Sequence, residues 1–218
     1  MSIRWIPTYN APVVLTFALL AFLVHLADAW SGGVLAPAAF AALPDFDYAS
    51  FWSWFRLMSH VLGHKDMAHL ASNFAVILLI GPILEEKYGS RSLLVMILAT
   101  ALVTGVLNTL FFNTGLMGAS GVVFMMILLG SFANHKSGEI PLTFLLVVGI
   151  YLAGEVTAAF ENDAVSQFAH ILGGLCGTVF GFRTGGRTGG SGRSGRGNRG
   201  AALTTRHADR PPARRRTG

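Results

Sequence analysis

Six long stretches of the chain are apolar and show no alternation of polar and apolar positions: residues 13–30, 68–84, 92–112, 117–134, 140–160 and 166–183. A hydrocarbon core of about 30 Å, crossed at 1.5 Å per residue, needs about 20 such residues. Backbone amides in lipid must be satisfied internally, so a non-alternating run of this length is a helix rather than a strand. The pattern predicts an all-α integral membrane protein with six spanning helices. Pro141 falls at the start of the fifth run, where its missing N–H costs little.

The first run has a competing reading. Arg4, the apolar stretch and Ala27-Asp28-Ala29 also fit a secretory signal peptide with an A-x-A cleavage site. Eight residues separate Arg4 from the apolar run, and the run is long, which favours a retained helix.

Composition agrees with the spans. Of 218 residues, 52% are hydrophobic and 12% charged, against about 25% charged in soluble domains. A soluble globular enzyme is excluded. Charge is segregated along the chain: residues 1–182 hold 6 basic and 10 acidic residues, net −4, whereas 183–218 hold 10 Arg and 1 Asp, net +9. Residues 184–218 read as a disordered Gly/Arg-rich tail, with anionic lipid as a candidate contact. Cys176 is the sole cysteine, so neither an intramolecular disulfide nor a cysteine-based zinc cluster is expected.

Lys/Arg placement sets the orientation. With the N-terminus inside, Arg4, Lys87, Arg91, Lys136 and the tail arginines are cytoplasmic, and only Arg56 and Lys65 lie outside. The expectation is a multi-pass protein of the plasma membrane with both termini cytoplasmic. It divides into an N-terminal segment 1–12, a membrane unit 13–183 and the tail 184–218. Within the membrane unit, 31–66 is too apolar for a solvated connector. Its aromatics Phe46, Phe51, Trp52, Trp54 and Phe55, with Trp30 just before it, predict a loop half-sunk in the outer interface.

Polar groups inside spans are costly and mark function by default. His69 and Asn73 stand one turn apart in the second span, on one helical face. Ser120 lies in Gly118-Ala119-Ser120-Gly121 of the fourth, and His170 lies early in the sixth. Spans two, four and six all run from outside to inside, so these residues share one shallow depth. His170, Gly173, Gly177 and Gly181 form a stripe of small residues that lets another backbone approach closely. Set against the small residues of the fourth span, that stripe brings Ser120 and His170 together. A serine hydroxyl needs a base, neutral histidine is the usual one, and N–H groups at a helix start can stabilise an oxyanion. The set makes a Ser–His dyad for acyl transfer, with Asn73 and His69 as side donors.

Taken singly, each residue has a plainer explanation. A serine in a span usually bonds a carbonyl one turn back, and glycine stripes usually only pack. His25, Asp28 and His135 read as structural groups near helix ends, within reach of water. Glu155 is either a snorkelling end residue or a lateral gate or supporting group. A rival function is a metal- or haem-binding transporter or electron-transfer protein using His64, His69 and His170. A third is a non-catalytic binder of membrane proteins.

Three motifs resemble the rhomboid intramembrane serine proteases: His64-x4-His69-x3-Asn73, Gly118-Ala119-Ser120-Gly121, and Ala169-His170-x2-Gly173-x3-Gly177. The resemblance covers roughly 52–182 and implies a six-helix rhomboid-like bundle. It implies Ser120 as nucleophile, His170 as general base, and oxyanion donors from Asn73, His69 and the Ser120 amide. It also implies that His60 and His64 brace the first loop and a water cavity, and that Arg56 pairs with Glu85. Where many relatives carry a tyrosine four residues after the serine, stacked on the histidine, this chain has Phe124. The implied substrates are single-span membrane proteins cut near the outer membrane face. No cofactor, metal or nucleic acid is implied.

Overall fold

The computed structural model describes residues 8–132, 140–158 and 164–185, with side chains omitted over 151–166 and at 185. The N-terminal tip, His135, the side chain of Glu155 and nearly all of the Arg-rich tail lie outside the described residues.

The described chain is helical: α1 (Pro12–Trp30), α2 (Leu35–Phe40), α3 (Phe51–Ser59) followed by a 3₁₀ turn (His60–Leu62), α4 (Met67–Tyr88), α5 (Ser90–Phe111), α6 (Ser120–Ser131), α7 (Leu142–Ala158) and α8 (Ala164–Gly185). Six of these coincide with the six apolar runs. Among the described residues α1, α4 and α5 are long and apolar enough to cross a membrane on their own. This is a multi-pass membrane protein. Leu19, Leu23, Leu79, Ile83, Val95 and Leu102 point outward from these helices, as lipid-facing side chains do.

The fourth run departs from expectation. Hydropathy marks 117–134, but α6 starts at Ser120 and has 12 residues, about 18 Å at 1.5 Å per residue. That falls well short of a 30 Å core. The missing length is a loop, 112–119, that returns inward from the end of α5 before α6 begins. Gly121 lies against the Thr104 methyl, seven residues before the end of α5. The start of α6 is therefore recessed by about 10 Å along α5. α6 is the most enclosed helix: Val122, Met125, Met126, Leu128 and Leu129 are all buried.

α8 lies along α6 with almost nothing between the backbones. The Gly121 carbonyl faces Gly173, the Met125 carbonyl faces Gly177, and the Phe132 ring faces Gly181. Any Cβ at these three glycines would collide, which is why the stripe is glycine.

The segment between α1 and α4 is a built structure. Asp28 is buried, and its Oδ1 accepts the Ala36 N–H at 2.7 Å, fastening α2 back onto α1. The expectation that Asp28 reaches water is thus corrected; a buried backbone donor claims it instead. Ala42 and Leu116 exchange two backbone hydrogen bonds of 2.9 Å, tying this segment to the α5–α6 loop. Its outer side presents exposed Tyr48, Phe51, Trp52 and Trp54.

Candidate active site

The site is organised by what precedes Ser120. Gly118 has φ +133°, a conformation that L side chains rarely adopt, and a Cβ there would lie 2.6 Å from His69 Cε1. Glycine is needed twice over, for the turn and for the histidine. The Gly118 N–H donates to the His60 carbonyl at 3.0 Å, and the Ala119 N–H donates to His64 Nε2 at 3.4 Å. Two histidines of the first loop thus hold the two residues that lead into α6.

Each histidine has a definable role in that support. His64 Nε2 accepts, so its proton sits on Nδ1, which donates to the Leu62 carbonyl at 3.3 Å. Burial, helped by the neighbouring His69, lowers the His64 pKa to about 4. Fully buried His60 reaches the Ala101 carbonyl through Nε2 at 3.0 Å, with Thr104 Oγ1 at 3.3 Å. Burial lowers its pKa to about 4 as well, against a smaller opposing effect of that carbonyl. Both rings are neutral at physiological pH, as donors and acceptors in a fixed frame require.

α4 begins where Asp66 caps it, its Oδ1 accepting the His69 N–H at 2.7 Å. That bond holds the exposed Asp66 carboxyl below the usual carboxylate range. One helical turn of α4 then presents His69 and Asn73. The His69 ring is 5.0 Å from that of His64, centroid to centroid, and its Cε1–Nε2 edge abuts Gly118. Asn73 is buried, and its Nδ2 has no acceptor among the described residues. A buried N–H donor with no acceptor is costly without a purpose.

On the other side, Ser120 is the first residue of α6, where N–H groups lack intrahelical acceptors. Ser120 and Phe124 are one turn apart and share a stripe of α6. The Phe124 ring lies 4.3 Å from that of His170, tilted by 37°. Gly121 faces the Ala169 carbonyl at 3.2 Å from its notional Cβ. Ser120 therefore stands between the level of His69 on α4 and that of Ala169-His170 on α8.

One implied pairing is overturned. Glu85 is buried at the far end of α4, and its two carboxylate oxygens accept the Val13 and Val14 N–H groups, each at 3.0 Å. Arg56 lies in α3 and donates through Nη2 to the Ala38 carbonyl. Glu85 caps α1, whose free first-turn amides need an acceptor and whose own flank, Ala11, offers none. Nothing in the sequence signals this bond, which joins residues 71 and 72 positions apart.

Among the described residues no three His, Cys, Asp or Glu side chains are grouped to hold a metal ion.

Comparison with known proteins gives a consistent result. The family model described as the Rhomboid domain matches residues 51–187. "Rhomboid protease GlpG" of Haemophilus influenzae is 29% identical over 132 residues, 58% of this chain and 68% of that protein. "Rhomboid-like protein 11, chloroplastic" of Arabidopsis thaliana is 23% identical over 148 residues, 61% of this chain and 53% of that protein. "Rhomboid protease GlpG" of Yersinia pestis is 23% identical over 179 residues, 78% of this chain and 62% of that protein. The chain thus spans from about half to two thirds of the length of these relatives. With the family model covering well over half of its length, the chain belongs to the rhomboid family.

Proposed function

We propose that the protein is an intramembrane serine endopeptidase in which Ser120 is the nucleophile and His170 the general base. The observation that carries this reading is the backbone-to-backbone contact of α6 with α8 at Gly121–Gly173, which sets the start of the serine helix beside the histidine. Ser120 Oγ attacks the scissile carbonyl as His170 takes its proton. The tetrahedral oxyanion is met by the Ser120 N–H, Asn73 Nδ2 and His69. His170 then returns the proton to the departing amine, and water hydrolyses the acyl-enzyme by the same steps. The Phe124 ring limits how far the imidazole can swing.

The substrates fitting this site are single-span membrane proteins with a stretch that unwinds near the outer face. A helical peptide bond is already hydrogen-bonded and hidden, so it cannot be cut in place. The recess at the start of α6 sets the chemistry below the outer surface yet close enough for water to enter.

The test is labelling with a fluorophosphonate serine probe. Wild type should label, and Ser120→Ala and His170→Ala should not. Undiminished labelling of Ser120→Ala would move the nucleophile elsewhere.

A further inference from the structure

A groove of about 480 Å³ runs between α1 and α5. It is lined from Pro12 to Leu20 on α1 and from Ser90 to Leu98 on α5. Each stretch is about 12 Å long, most of one leaflet's share of a 30 Å core. Met58, Val61 and Leu62 of the first loop close one end. That loop sits higher on α5, where His60 meets Ala101 and the Leu57 carbonyl meets Gly105. The other end opens at the first turns of α1 and α5, which lie on the same side of the membrane.

Three observations define the occupant. Apart from Thr16 and Ser90 the lining is apolar, and Leu20, Leu94 and Leu98 are each more than a third exposed, so water is a poor filler. A helix about 10 Å across would occupy roughly 900 Å³ over this length, too much for the groove. An extended hydrocarbon chain is much thinner. Finally, Arg91 precedes Leu94 by three residues and Leu98 by seven, on the same stripe of α5, one turn nearer the open end. It is exposed and has no ion-pair partner among the described residues.

We propose that this groove is a lipid site: it seats one acyl chain of an anionic phospholipid from the leaflet at the N-terminal ends of α1 and α5, with Arg91 on the phosphate. The bound chain fills the seam between α1 and α5 beneath the first loop. The site stands apart from Ser120 and does not depend on the protease reading.

Native mass spectrometry of the full-length protein, after graded removal of lipid, tests this with phosphatidylglycerol and phosphatidylcholine of matched chains. Wild type should retain one phosphatidylglycerol in preference to phosphatidylcholine. Arg91→Gln should reduce that preference about fivefold, the effect of one basic residue at a lipid surface. Leu94→Trp and Leu20→Trp fill the groove from opposite walls; both should lose the retained lipid of either headgroup while keeping a wild-type melting temperature. The Arg-rich tail is present in every variant and cancels from the comparison. Equal retention of the two lipids by wild type, or retention in both tryptophan variants, overturns the proposal. So does a wild-type dimer that either tryptophan dissociates, which would make the groove a contact between copies.

Discussion

The Gly121 carbonyl oxygen lies within the space that any Cβ on Gly173 would need. One turn further, the Met125 carbonyl does the same to Gly177. Two backbones thus fix the separation of α6 and α8, with no flexible side chain to absorb an error. Gly173→Leu and Gly177→Leu should lower activity and thermal stability together. Overpacking ordinarily costs about 1–3 kcal/mol, and a backbone obstacle sets these changes at the upper end. Gly173→Ala should show the same pairing at smaller size. A Gly177→Leu protein with wild-type melting behaviour and no activity would contradict the packing role.

Asn73→Ala tests the oxyanion side. Its Nδ2 is buried without an acceptor among the described residues, so it is available when charge develops on substrate. Loss of one oxyanion donor costs about 10²–10³ in rate in other serine enzymes. A smaller loss is expected here, because His69 and the Ser120 amide remain. The loss should fall on kcat, with binding of uncleaved substrate unchanged. An equal weakening of substrate binding would assign Asn73 to ground-state recognition instead.

Much of this was readable from residue patterns, and the remainder failed for definite reasons. The helices announced themselves because lipid permits no other use of long apolar runs. The level shared by His69, Ser120 and His170 followed from counting turns, and the glycine stripe named the face that meets α6. The extent of α6 was not readable. Leu116, Gly118 and Ala119 lie in a stretch as apolar as a helix, but their amides bond to Ala42, His60 and His64, and hydropathy does not register hydrogen bonds. The resemblance pairs Glu85 with Arg56, whereas its acceptor role depends on α1 folding back beside the end of α4.

Glu85 therefore makes its own prediction. Its carboxylate accepts two backbone amides from α1, and hydrogen bonds to charged groups contribute about 1.5–3 kcal/mol. Glu85→Ala should lower the melting temperature in detergent and loosen α1, seen as faster proteolysis within residues 8–30. Glu85→Gln keeps one acceptor and should lie between. Arg56→Ala should not reproduce the α1 phenotype, since Arg56 is bound to Ala38. Matching α1 proteolysis in Arg56→Ala and Glu85→Ala would restore the pairing rejected above.

The last prediction concerns acid. His60 and His64 have folded pKa values of about 4, against 6.5 for an unperturbed side chain. Between those values the unfolded chain binds more protons than the folded one, so stability rises with pH across that window and falls as pH drops from 6.5 toward 4. At pH 5 the loss is about 2 kcal/mol per histidine. For a unit of this size the two histidines together lower the melting temperature by about 10 °C. Asp66 works in the same sense but lower on the scale: its lowered pKa contributes stability that is lost only below 3.8, outside the window. Activity should fail in step with the melting curve, because both histidines hold the residues that lead into Ser120. His64→Gln supplies a non-titrating acceptor for the Ala119 N–H and should remove about half of the acid slope while keeping activity at pH 7. A wild-type melting temperature that stays flat from pH 7 to 5 would show that the two rings are not buried neutral supports.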